Sequence, residues 1–252
     1  MSRFKKPLLF ALALLPIAAV GGYCTALMSV SSMDPSQLEE AVRQIGSKEL
    51  LLALSTVQPI FLTLIGGFFG YILSEKIGLM RPFRFEKPEL IRSLFVSVIG
   101  GAIFSLDAWT FARWIPVLAA SYETTGSFVA VTWIASVLYG GVIEEVLLRL
   151  FFMSLIAFLV WKLLFKKAET VPAGALVAAN ITAALVFAAG HLPATVQTFG
   201  SLTALLVFRC FLMNGAFGLV FGWLYRKSGI QYAMLAHMLF HIVSKTIWIL
   251  SF

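Results

Sequence analysis

The stretch that decides the fold runs from Phe128 to Leu164: FVAVTWIASVLYGGVIEEVLLRLFFMSLIAFLVWKLL. Its charges are Glu144, Glu145, Arg149 and Lys162, and the rest is almost wholly apolar. A membrane-crossing helix needs about 20 such residues, so a bilayer is the solvent this segment fits. At about 1.5 Å per residue the run is long for one crossing. A break is expected near Gly140 and Gly141, since glycine pairs are common kink sites.

Outward from that stretch the same pattern repeats. Apolar runs cover Pro7–Val30, Leu50–Leu73, Leu94–Phe111, Ala173–His191, Leu202–Tyr225 and Tyr232–Leu250. The first is too long for a signal-peptide core, and Gly-Gly-Tyr before Cys24 is a poor cleavage site, so it reads as an uncleaved span. The polar stretch from Asp34 to Glu49 has the composition of a short surface helix, and a short loop falls around Glu123. The prediction is an all-α, polytopic membrane bundle of about seven transmembrane helices.

Composition agrees. The 252 residues are 60% hydrophobic and 12% charged, against roughly 45–50% and 25% in soluble domains, so there is too little polar surface for a globule in water. Outer-membrane-type barrels are excluded because the apolar residues come in runs rather than in alternation. Cys24 and Cys210 lie inside apolar runs without metal-type spacing and read as packing residues. The net charge of +7 is spread over the ends of apolar runs, which is a topology signal and not a nucleic-acid patch. Lys and Arg concentrate on cytoplasmic loops. That rule puts Arg3–Lys6, Lys76–Arg92, Lys162–Lys167 and Arg226–Lys227 inside, with a cytoplasmic N-terminus.

Ionisable groups in hydrocarbon cost about 2.5–3.5 kcal/mol or more by insertion scales and usually pair or serve function. Those inside spans are Asp107, Glu144, Glu145, Arg149, His191, Arg209, His237, His241 and Lys245. Asp107 and Arg209 read as a pair across spans or as cavity lining, and Lys245 as a snorkelling residue. Trp161, Trp223 and Trp248, near span ends, fit an interfacial belt. Glu145 and Arg149 are i and i+4, in the favourable order for a helical ion pair. Glu144 points about 100° away, which leaves one carboxylate available as acid or base. All three histidines lie in the second half, His237 and His241 one turn apart on one face. Two chemistries fit. Imidazoles and a glutamate bind a metal such as zinc, or imidazoles stabilise an oxyanion while a glutamate activates water.

Three motifs stand in order on successive helices: Glu144-Glu145-x-x-x-Arg149, Phe187-x-x-x-His191 and His237-x-x-x-His241. With the phrase from Gly222 to Ile230 and the approach Ala233-Met234-Leu235-Ala236 to His237, the region Phe128–Ser244 resembles the CAAX prenyl endopeptidase and bacteriocin-processing (CPBP) family of intramembrane proteases. The resemblance implies a helical-bundle hydrolase with a polar cavity inside the membrane. It divides the chain into N-terminal transmembrane helices and a basic linker, 1–126, and a catalytic helical core, 127–252. It assigns Glu144 to water activation with His191 assisting, His237 and His241 to the oxyanion, and Glu145 and Arg149 to support. The family usually has Asn where His241 stands. A neutral imidazole donates one hydrogen bond as Asn does, and the substitution also leaves Glu144, His191, His237 and His241 as a set for zinc if a metal is present.

The expected activity is endoproteolysis of a membrane-associated or lipid-modified protein or peptide by glutamate-activated water, without a cofactor and without nucleic acid. The rivals are a catalytically silent immunity or scaffold protein of the same fold, and a proton-coupled transporter, against which the lack of an obvious internal repeat counts. The short basic N-terminus and compact loops suit a bacterial cell membrane.

Overall fold

The computed structural model describes residues 4–122 and 127–251; the expected loop at Glu123 lies outside them. Seven helices are long and apolar enough to cross a membrane: Lys5–Ser31, Lys48–Lys76, Lys87–Arg113, Ala130–Leu164, Ala173–Phe199, Ala204–Ser228 and Ile230–Ser251. They are the first to seventh spans below. No strand occurs among the described residues. In lipid every backbone N–H and C=O must be satisfied within its own segment, which a helix does. The large apolar side chains turned outward, such as Phe61, Phe95 and Leu250, face hydrocarbon at no cost.

The segment Pro35–Ile45 is the expected surface helix, with no buried residue. Asp34 caps it, accepting from the Gln37 N–H at 2.9 Å. The Ser36 hydroxyl, then the Gln37 amide, holds the Asp34 carboxyl below the usual carboxylate range. The third span is helical over Lys87–Ser105 and tightens into short 3₁₀ turns at Leu106–Trp109 and Phe111–Arg113. The fifth is two helices, Ala173–Gly190 and Leu192–Phe199, turned at His191.

The fourth span corrects one expectation: it does not break at Gly140 and Gly141. It runs on through wide, π-type turns over Ala135–Glu144 and Val146–Met153 before returning to α-helix at Ser154–Leu164. Wide turns bond i to i+5 and store more residues per unit length, which accommodates the long run in one continuous span. The glycines serve approach instead. A Cβ on Gly141 would lie 2.5 Å from Cγ of Met238 and 2.8 Å from its Cα, and one on Gly140 would lie 2.9 Å from Nε2 of His241. The seventh span therefore lies directly against the fourth, as small residues allow in membranes. Leu14 and Ala18 of the first span join Val142, Ile143, Val146 and Leu150 in the main core.

One end of the bundle is closed by the segment between the second and third spans. Gln231 donates to Pro82 O at 3.1 Å, and the Tyr232 hydroxyl donates to Arg84 O at 3.1 Å and accepts from the Glu86 N–H at 2.6 Å. Beneath them the Tyr225 hydroxyl is buried between Ser154 and Ser74, at 2.8 and 2.7 Å. Two of the three tryptophans expected in an interfacial belt also bond to backbone carbonyls. Trp161 donates to Ala168 O and Trp248 to Ser105 O, while Trp223 is exposed as expected. Both cysteines are buried free thiols.

The close approach of fourth and seventh spans generates a test. Gly141→Ala should lower thermal stability in detergent, by roughly 1–3 kcal/mol for overpacking. Gly174→Ala, where a Cβ meets nothing within 4 Å, should cause no loss. Equal shifts in the two melting curves would refute the packing account.

Candidate active site

Glu144 and Glu145 stand where the two stretches of wide turns meet, and their side chains diverge. Glu145 is fully buried. Its Oε1 lies 3.1 Å from the Arg149 guanidinium and 2.9 Å from Nδ1 of His237. Arg149, 1% exposed, also donates to Gly218 O at 3.1 Å and lies 4.6 Å over the ring of Phe187. One buried guanidinium thus gathers the fourth, fifth and sixth spans, and through Glu145 the seventh. The expected ion pair is present, and it consumes Glu145.

Glu144 turns the other way, into a cavity of about 590 Å³. That volume lies in the range of ligand pockets. Glu144, His191, His237 and His241 all line it, so the four residues expected at the site share one space. The nearest ionisable neighbour of Glu144 is His191, with Nε2 3.9 Å from Oε1. His191 sits at the turn of the fifth span, where its Nδ1 lies 2.8 Å from Phe187 O. A carbonyl only accepts, so Nδ1 carries the hydrogen and the Nε2 lone pair faces Glu144. The same reasoning fixes His237: its Nδ1–H donates to the Glu145 carboxylate, and Nε2 is an acceptor whenever the ring is neutral. His237 is stacked between Phe221, at 4.3 Å, and His241, at 4.8 Å. Among the described residues the His241 ring makes no side-chain hydrogen bond.

Simple counting along straight helices places His191 beyond the membrane and His237 at its middle. Both nevertheless line one cavity. The fifth span starts at Ala173 and turns at His191, and the start of the seventh is roofed by Pro82 and Arg84 rather than by water. Asp107 and Arg209 do form the expected pair, with Nε 2.9 Å from Oδ1 and the second guanidinium nitrogen 2.5 Å from Oδ2. Neither lines the cavity.

Several lining residues escaped the sequence reading: Thr25, Ser136, Tyr139 and Asn214. All are uncharged, and a search for ionisable groups passes over them. Asn214 carried a usable signal, a carboxamide inside the apolar run Ala204–Gly222; its Nδ2 donates to Cys210 O at 2.9 Å.

Among the described residues no three His, Cys, Asp or Glu side chains are arranged to hold a metal ion. Glu145 is committed to Arg149 and His237, while the Nδ1–H bonds of His191 and His237 leave the Nε2 of each ring on the cavity side.

Residues 125–243 match the family model for type II CAAX prenyl endopeptidases, Rce1-like. No curated protein and no solved structure matches the chain. The matched region contains Glu144, His191, His237 and His241, and over it the chain is similar to the type II CAAX prenyl endopeptidases, in agreement with the resemblance to the CPBP family read from the motifs.

Proposed function

We propose that this protein is an intramembrane endopeptidase in which Glu144 activates the attacking water. What supports the reading above all is the separation of two adjacent carboxylates: Arg149 neutralises Glu145, and Glu144 is left facing the cavity. Oε1 of Glu144 and Nε2 of His191 are both acceptors, 3.9 Å apart, too far for a direct hydrogen bond. Acceptors at that spacing suit a water that donates one hydrogen to each. Such a water has its lone pairs free for a substrate carbonyl.

Glu144 takes a proton as the water oxygen bonds to the carbonyl carbon, and the carbonyl oxygen becomes an oxyanion. Collapse breaks the C–N bond, and Glu144 returns its proton to the leaving amine. For the oxyanion the two remaining histidines are unequal. Neutral His237 offers only a lone pair at Nε2, because Nδ1–H is held by Glu145, and it becomes a donor only as imidazolium. His241, with no competing side-chain bond, supplies the oxyanion donor as a neutral ring. The departure from the family's Asn therefore preserves the function. It is also the ground of the rival reading, in which the cavity binds a partner without cleaving it.

Substitution separates these roles. Glu144→Gln should leave a folded protein whose cleavage rate is down by at least ~100-fold, the usual scale of a general base. Arg149→Leu should instead lose folded protein, since breaking a buried pair costs about 3–5 kcal/mol. Comparison of membrane-protein termini in cells carrying wild-type or Glu144→Gln protein identifies the substrate. Termini that are the same in both would favour binding without cleavage.

His241 gives a second test. His241→Asn should keep cleavage within about 10-fold of wild type, and His241→Leu should lose ~100-fold or more, as removal of an oxyanion donor does. Purified protein in liposomes with the identified peptide provides the measurement. Equal loss in both variants would remove His241 from the oxyanion role.

A further inference from the structure

We infer that the cavity is reached from the face opposite the basic loops, and that the scissile bond lies in the non-cytoplasmic juxtamembrane stretch of a membrane-anchored peptide or protein. This rests on the endopeptidase reading and names its substrate class.

The charge distribution sets the first constraint. Of the 19 Lys and Arg residues, Arg43, Lys48 and Arg113 stand at one end of the spans. Arg149, Arg209 and Lys245 lie within them, and every other one stands at the opposite end. The positive-inside rule makes that basic end cytoplasmic.

The depth of the cavity walls sets the second. Thr25 and Met28 line it from the last turns of the first span, about 30 Å or more from Lys5 at helical rise. Phe104 lies about 26 Å beyond Lys87, His191 about 27 Å beyond Ala173, and Ala135 and Ser136 stand near the start of the fourth span, whose other end carries Lys162. The walls thus extend toward the end that carries few basic residues. At the basic end the route is shut by the hydrogen bonds of Gln231 and Tyr232 to the Pro82–Glu86 segment and by the buried Ser74–Tyr225–Ser154 chain. None of these residues lines the cavity.

Exposure follows the same gradient. Side-chain exposure is 33% at His191 and 17% at Glu144, but 4% at His237 and 0% at Glu145. Val186, 43% exposed, and the exposed Gly190 and Ala194 line the cavity from the fifth span, opposite Thr25 and Met28 of the first. Near this mouth Gln197 donates to Ser29 O at 2.7 Å, a single side chain bridging the two spans. A polypeptide lying in the non-cytoplasmic leaflet meets the gap between them, and the gap leads into the cavity that Glu144 lines.

Labelling reads access independently of any activity. Met28→Cys and Ala194→Cys, each in the full-length chain, are exposed to a membrane-impermeant maleimide in intact cells and in inside-out vesicles. Lys167→Cys marks the basic end, and the wild-type chain with its two buried cysteines is the blank. Both mouth cysteines should react in intact cells, and Lys167→Cys only in inside-out vesicles. Reaction of the mouth cysteines from the cytoplasmic side only, or from neither side, overturns the inference. Two single-span substrates then carry the identified cleavage segment on either side of the membrane. The non-cytoplasmic one should be cleaved at least ten-fold faster, and faster cleavage of the other overturns the inference. If neither is cleaved while the mouth still labels from outside, the access route stands and the endopeptidase reading fails.

Discussion

An arginine buried in a bilayer has to be answered by a carboxylate, and the Arg149–Glu145 pair is the constraint around which the second half of this chain is arranged. Neither member is tolerable alone in hydrocarbon. The guanidinium also needs acceptors and polarisable faces, and it finds Gly218 O and the rings of Phe187 and Phe221. Glu145 in turn anchors His237. Three neighbouring helices are thereby fixed against the fourth before any substrate is considered. Such a pair contributes little net stability, but it specifies one arrangement of helices over others. It also decides which of two adjacent glutamates is left to line the cavity.

The spans were legible from length and hydropathy because in lipid these are the governing variables. Seven apolar runs became seven helices, the polar stretch after Asp34 became a surface helix, and the basic segment before Lys87 became a loop. Tertiary contact was less legible. The Gly140-Gly141 pair looks the same in sequence whether it marks a kink or a place where another helix comes close, and only the position of Met238 and His241 decides for the second. The tryptophans show the same limit. An indole near a span end suits the interface, and Trp161 and Trp248 also have backbone carbonyls within reach and use them.

At the site, charge in an apolar setting was a strong signal, and Glu144, His191, His237 and His241 do share one cavity. What sequence could not supply was the hydrogen-bond partner of each ring. Because Phe187 O and Glu145 take the two Nδ1 hydrogens, His191 and His237 are both acceptors toward the cavity when neutral, and His241 is the ring whose hydrogen is not committed in this way. The neutral wall residues Thr25, Ser136, Tyr139 and Asn214 carry no comparable signal, since an isolated hydroxyl or carboxamide in a long apolar run is cheap enough to occur without purpose.

The wide turns of the fourth span carry a consequence for how the roles are assigned. A helix of this kind relaxes to ordinary α-geometry only by shedding residues, and each residue shed rotates one side of the helix by about 100° against the other. Glu144 and Glu145, as neighbours, differ in phase by one such residue step. Chemical identity here is therefore a matter of helical phase as well as of residue type. The carboxylate that meets the cavity is selected by how many residues are stored ahead of it, and a change of one residue in that length would turn toward the cavity the glutamate that now neutralises Arg149.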